Sequence, residues 1–310
     1  MLTVAEVGPI AKTLGNVLTG ELRSHGALTM IPLLAPMLSE PDWLTLAEAD
    51  APVRITEVSE AGSVPNLTVT NLADRPLLLL DGEQLLGAKQ NRILNTTVLI
   101  AANATVTIPV SCVEQGRWGY RGRHFTPSDV SLFASVRRAK ADSVTRSARA
   151  GQGHVADQSG VWDALAARAA EHAVSSPTGA MHDFYAHYEP DIAATRTALA
   201  PLAGQIGAIV YLEGRWVGLE LLAGPGLFAC AWPRLCAGYA GDSIGRKGPS
   251  GGVPSSATVL ATLVACPTEA VSAVGLGTEY RLTGGKITGA VLVADDRVAH
   301  LMAFPRATTD

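Results

Sequence analysis

The chain has 310 residues, 24 Lys+Arg against 28 Asp+Glu, and a formal net charge of −4. Apolar residues make up 47% and charged residues 17%, which excludes intrinsic disorder and leaves enough apolar surface for a core without staples. A sequence pI near 6.0 argues against general nucleic-acid binding.

The N-terminal stretch lacks a basic region followed by an apolar one, so no secretory signal is expected. Apolar runs such as Leu77–Leu80 and Gly207–Leu212 are far too short to span a membrane. Cys112, Cys230, Cys236 and Cys266 form no CxxC pair, and read as reduced thiols of a cytoplasmic protein.

Residues 1 to about 50 read as short helical stretches broken by Pro32, Pro36 and Pro41. From Val53 to Val113 apolar residues alternate in the manner of strands. LLLLDGEQLLG places Asp81-Gly82 between two apolar runs, a hairpin signal. Two further β-rich runs follow, with Ala101–Ala104 as the turn. Short antiparallel strands joined by tight turns imply a sandwich or a partly closed barrel.

From Pro127 the period becomes helical. Ser128-Asp129 is expected to cap a helix carrying Val130, Phe133, Val136 and Arg137, and Val161–Ala173 a second helix. The polar segment Thr145–Gly160 between them reads as mobile or as a binding loop. β character returns in GAIVYLEGRWVGLELLA, with its turn at Glu213-Gly214. A helix is expected from Trp232, with Pro233 at its start, and a flexible loop over Gly245–Ser256. VLATLVACP then resumes β structure, with hairpin turns at Gly284-Gly285 and Asp295-Asp296.

The expected fold is therefore α+β: an N-terminal antiparallel β-sandwich-like part, a helical middle, and a C-terminal β-containing half. The division falls near residue 125, with residues 126–310 as a helical segment plus an α+β part, the two packed as one unit.

Two polar clusters could carry chemistry. Lys89, Gln90, Asn91 and Arg92 lie side by side between apolar strands. They suit a rim for an anion and a polar ring, and equally a solvated hairpin edge. The segment from Ser111 to Phe125 holds Cys112, Glu114, Gln115, Arg117, Trp118, Tyr120, Arg121, Arg123 and His124. Arginines interleaved with aromatics and glycines fit a phosphate beside a stacked base. Glu83 and Glu114 are candidates for an acid/base pair. Asp183 and His187, at i,i+4 spacing, lack a third ligand at a recognisable distance, so no metal is assigned. Walker, GxGxxG and GxSxG patterns are absent (SGG at Ser250 is only a fragment), and the cofactor is left unknown.

Leu77–Trp118, with GAKQNRILNT followed by VSCVEQGRW, and more loosely Gly207–Ser243, resemble a bacterial domain family. That family is named for its association with ADP-ribosylglycohydrolases and rhodanese-phosphatase proteins. The resemblance carries no established activity and implies a setting in ADP-ribose or NAD-derived metabolism. It marks Glu83, Lys89, Gln90, Asn91, Arg92, Cys112, Glu114, Gln115, Arg117 and Trp118 as motif positions. The expected function is binding, with hydrolysis or transfer as an extension, of a nucleotide-like or ADP-ribose-like ligand between residues 83–92 and 112–124. Arg92 and Arg117 would hold phosphate, Trp118 would stack, and Asn91 and Gln115 would select the ring or ribose. The alternative is a structural or protein-interaction module whose polar clusters stabilise the fold. A homo-oligomer is compatible with both, and no membrane partner is expected.

Overall fold

Strand Val53–Glu57 turns Ile55 and Glu57 inward, and Asn66–Asn71 buries Leu67 and Val69 in register with it. This alternation builds a six-stranded antiparallel sheet in a computed structural model that describes residues 2–48, 52–248 and 252–306. Its order is Phe125–Ser131, Glu83–Gly87, Arg92–Leu94, Thr105–Cys112, Asn66–Asn71 and Val53–Glu57. The two edge strands approach each other, so the sheet curls towards closure. A short sheet of Val98–Ile100, Leu77–Leu79 and Leu44–Thr45 covers it, and the two share a core of Leu67, Val69, Leu79, Leu94, Ile108 and Val110.

The second large sheet has ten strands among the described residues. Its centre is Ile287–Ala294, Arg297–Pro305, Arg215–Leu222, Gln205–Leu212 and Leu28–Leu34, in that order. It takes strands from both sides of residue 125, since Leu28–Leu34 pairs antiparallel with Gln205–Leu212. Helices α1 (Gly8–Gly15) and α2 (Ala134–Arg149) lie against this sheet. The helical middle continues with α3 (Gln158–Glu171), α4 (Met181–His187) and α5 (Glu189–Ala198). α6 (Pro225–Ser243) packs on α5 and on Gln205–Leu212, and α7 (Ser256–Val264) follows. The chain is thus α+β, with N-terminal sheets, a helical middle and C-terminal strands. No helix among the described residues is long and apolar enough to cross a membrane.

Several expected elements differ. Leu28–Leu34 is a buried strand despite Pro32, which sits opposite the break between two short flanking strands, Leu18–Thr19 and Arg23–His25. Asp81-Gly82 makes a corner between sheets rather than a hairpin: Leu77–Leu79 and Glu83–Gly87 pair with other strands. Ser128-Asp129 belongs to strand Phe125–Ser131, and α2 begins at Ala134. Pro225 opens α6 and Pro233 lies inside it. VLATLV forms most of α7, because the Ser255 side chain accepts from Thr258 N at 3.2 Å and starts a helix. The segment after α2 is pinned, with His154 buried against Glu279 at 2.9 Å. Of the expected loop Gly245–Ser256, residues 249–251 (Ser250 included) lie outside the described residues.

Buried charge joins the layers. Arg137 on α2 bonds Asp81 at 3.1 Å and Glu220 at 2.5 Å. Glu220 also accepts from Tyr239 at 2.8 Å and meets His300 Nε2 at 3.0 Å. Lys140 pairs with Asp81 and donates to the Leu94 and Asn95 carbonyls at 3.1 and 2.9 Å. Glu279 pairs with Arg281 at 2.8 Å and accepts from Thr96 at 2.9 Å. Three carboxylates thus face three basic side chains, all buried. Burial alone would raise the Glu220 carboxyl, but Arg137 and His300 hold it down to about 2. Burial likewise opposes ionisation of Glu279, and His154 and Arg281 bring it to about 2.

Both carboxyls sit below their ordinary value, so the stability they contribute is complete above about pH 4.5 and is lost towards pH 2. Glu83 and Asp242, raised by burial, run the other way and lose stability as pH rises. Unfolding free energies from urea titration should fall between pH 5 and pH 3 by about 2 kcal/mol for each of Glu220 and Glu279; an unchanged value would contradict this. Gly218→Ala should cost about 2–3 kcal/mol in the same assay. Its Cβ would stand 2.2 Å from the Tyr239 hydroxyl that holds Glu220.

Candidate functional site

One end of the six-stranded sheet collects the polar residues. Glu57 ends its strand there, Arg92 begins the next, and Cys112 ends a third. Arg92 is in register with Leu85 and Cys112, and Glu57 with Leu67. All three side chains therefore point to the inner, apolar face of the curled sheet. Three connections rim this mouth: residues 58–65, 88–91 and 113–124. Mouths of this kind are habitual ligand sites.

Glu114 is the hub of the rim. Its Oε2 accepts from Asn91 N at 3.1 Å and Arg117 Nη2 at 2.6 Å. Its Oε1 accepts from Thr178 at 2.9 Å and lies 3.7 Å from Arg121. Burial opposes ionisation, yet the bonds from Arg117, Asn91 and Thr178 keep the carboxyl below its ordinary range. Arg117 also donates to the Ala88 and Gly119 carbonyls at 2.6 and 2.8 Å, and to Asn91 Oδ1 at 3.2 Å. Gln90 donates to the Glu114 carbonyl at 3.0 Å and accepts from Arg92 Nη1 at 3.0 Å. Arg117, Asn91 and Gln90 are thus occupied in shaping the rim.

Arg92 is different. It is fully buried, and its Nε and Nη2 have no hydrogen-bond partner. Its guanidinium lies 5.7 Å from the centre of the Trp118 ring. Lys89 Nζ, bonded to the Ala61 carbonyl at 2.6 Å, lies 5.2 Å from the Trp118 ring and 5.1 Å from the Tyr120 ring. Both rings are half exposed, Trp118 at 51% and Tyr120 at 50%. Gly62, at φ +79°, lets the 58–65 turn lie close: a Cβ there would stand 3.0 Å from Lys89 and 3.3 Å from Trp118. Glu57 Oε1 accepts from Lys89 N at 3.4 Å, and its buried Oε2 has no partner.

The other marked residues lie apart from this group. Glu83 accepts from Leu80 N at 2.8 Å and pairs with Arg234 of α6 at 3.3 Å. Burial raises its carboxyl against the pull of Arg234. Glu83 and Glu114 have no bonding partner in common. Gln115 is exposed and borders a void of about 60 Å³ with Trp162 and Phe133. Arg123 and His124 are exposed. Burial pushes the Cys112 thiol up, so it is a small buried group rather than a thiolate. Asp183 accepts from Ser176 at 2.5 Å, and His187 packs edge-on against Tyr188. Asp242 is bound to Ser135 and Arg168. Among the described residues no group of three or more ligand-type side chains could hold a metal ion. The larger cavities lie elsewhere: one of 690 Å³ beside α7, another of 720 Å³ beside α1.

Sequence reasoning missed Glu57 and Thr178. Glu57 had a usable signal, since it stands in phase with the buried Ile55 where an apolar residue is due. Thr178 had none, because only the fold brings it to Glu114.

Glu114→Ala should destabilise the chain by about 3 kcal/mol, because it strands Arg117 and the Asn91 N–H. A urea midpoint within experimental error of wild type would show the hub to be dispensable.

Searches of curated proteins and of solved structures give no match to the chain. A family profile matches residues 16–304, which include the mouth, its rim and nearly all of both large sheets. The chain therefore belongs to the family of the ARG and Rhodanese-Phosphatase-superfamily-associated Protein domain.

Proposed function

We propose that the mouth of the curled sheet binds an anionic, ring-bearing small molecule of the nucleotide class. The observation that supports this reading best is the state of Arg92: fully buried, yet with two N–H nitrogens unmatched. A buried donor without an acceptor costs about 1–3 kcal/mol, more when charged, and an arriving anion would repay it. Lys89 beside it adds a second positive charge. Trp118 and Tyr120 offer exposed faces on which a base could stack. The family's association with ADP-ribosylglycohydrolases makes ADP-ribose, NAD and ADP the first ligands to try.

The roles differ from those expected for Arg117 and Asn91, which hold the rim together in place of touching the ligand. Glu83 is bonded to Leu80 N and Arg234, and Glu114 to Arg117, Asn91 and Thr178, so the reading is one of binding, and hydrolysis or transfer is not assigned. The structural module remains the competing reading, and the Glu114 hub is the observation in its favour.

A thermal-shift panel of ADP-ribose, NAD and ADP separates the two. Ligand at a hundredfold its Kd should stabilise the fold by about 2.7 kcal/mol. Trp118→Ala, at a half-exposed position, should stay folded and lose about tenfold or more in affinity. No shift with any of the three at millimolar concentration, confirmed by calorimetry, would favour the structural module.

A further inference from the structure

The groove of 720 Å³ beside α1 belongs to the ten-stranded sheet, not to the curled one that carries the mouth. Its walls are the C-terminal end of α1, the loop after strand Leu28–Leu34, and the turn that leads into strand Arg297–Pro305. Leu18, Ala35, Pro36 and Leu38 make it apolar. Met37 stands beside them 95% exposed, more than any other large apolar side chain among the described residues, and Leu18 is 61% exposed. A lone exposed apolar residue is ordinary, but an apolar knob next to an apolar groove is an unfinished contact. The knob is held in place. Ala35 N donates to the Gly204 carbonyl at 2.9 Å, Leu38 N to the Ala35 carbonyl at 3.0 Å, and Arg297 to the Ser39 carbonyl at 2.9 Å. Met37 is therefore presented on a pinned turn, and seating it against a partner costs little backbone entropy. Lys12, Asp295 and Asp296 line the same groove, are exposed, and join no ion pair among the described residues.

We infer that this groove is a two-fold interface between two copies of the chain. Met37 of each copy fills the groove of the other, and Lys12 of each faces Asp295 and Asp296 of the other. A two-fold contact must be self-complementary, so one patch has to bear both halves of every pairing. This patch does: it holds knob and groove, free cation and free carboxylates. Other occupants fit it less well. With Arg297 counted, its cations and carboxylates balance, so it does not select a nucleic acid, an acidic peptide or an anionic membrane. A small-molecule site would aim a few polar groups inward, whereas Lys12, Asp295 and Asp296 are exposed. A net charge of −4 over 310 residues puts little repulsion between two copies. Lys89, Arg92 and Trp118 are not among the lining residues, so the inference stands apart from the nucleotide reading.

The test is sedimentation of the full chain from micromolar to near-millimolar concentration. The wild-type mass should rise from 32.2 kDa towards twice that value. Met37→Asp, at an exposed position, should keep its thermal midpoint and weaken association at least tenfold, because it drives a charge into an apolar groove. Lys12→Glu alone sets like charges against each other across the two-fold, and so does the double variant Asp295→Lys/Asp296→Lys. Each should therefore remain a monomer. Mixed in equal amounts, the two should dimerise, because every contact across the two-fold then joins opposite charges. An interface elsewhere, or a groove made for a different partner, gives no such restoration. Wild type that stays a monomer at near-millimolar concentration would overturn the inference, and that result needs no variant to fold. A dimer that survives Met37→Asp would overturn it too, as would a mixture of the two folded charge variants that fails to dimerise.

Discussion

Arg137 is the tie on which the architecture depends. It rises from α2 and grips a carboxylate from each large β layer, Asp81 at the corner of one and Glu220 in the middle of the other. Removing water from so many charges is expensive, and the arrangement is tolerable only because nearly every oxygen and N–H is matched. An apolar core of the same volume would pack the layers without fixing their rotation or offset. The charged chain does fix them, since the forked guanidinium accepts few geometries. Gly82 belongs to the same device: at φ +81° and without a side chain, it leaves room for the Arg137 stem.

That tie also reaches the mouth. Lys140, paired to the same Asp81, holds the carbonyls of Leu94 and Asn95. The strand ending there is only three residues long, and its other end is Arg92. One short rigid segment therefore runs from the buried charge network to the unmatched guanidinium. The rim is fixed from the other side, where the Val113 carbonyl accepts from Met181 N and Glu114 accepts from Thr178. The helical middle thus buttresses the mouth without entering it.

The parts of this structure legible in the sequence are those whose signals are local. The turns at Glu213-Gly214 and Asp295-Asp296, all four residues at positive φ, stand between alternating runs and form as read. The polar run Lys89–Arg92 and the segment after Cys112 stood out because they interrupt apolar strands, and the fold brings them to one end of a sheet. What escaped reading is what depends on distant partners. A buried Arg137 or Glu220 looks like any surface charge until the residue 83 positions away is placed beside it. Asp81-Gly82 carries a hairpin signal, but ion pairing to α2 draws it inward as a corner. Pro32 reads as a breaker, and only the broken partner strand beside it makes it harmless.

The pairing of Leu28–Leu34 with Gln205–Leu212 has a consequence for how the protein is made. Some 170 residues separate these partners, so the early strand leaves the ribosome long before its neighbour exists. Its apolar side chains and the backbone edge that faces Gln205–Leu212 wait while the smaller curled sheet, built from nearer contacts, can already close. Completion of the large sheet is therefore a late event of high contact order, and slow for that reason. During that interval the nascent chain carries an open β edge, a template to which the same strand of another unfinished copy can add.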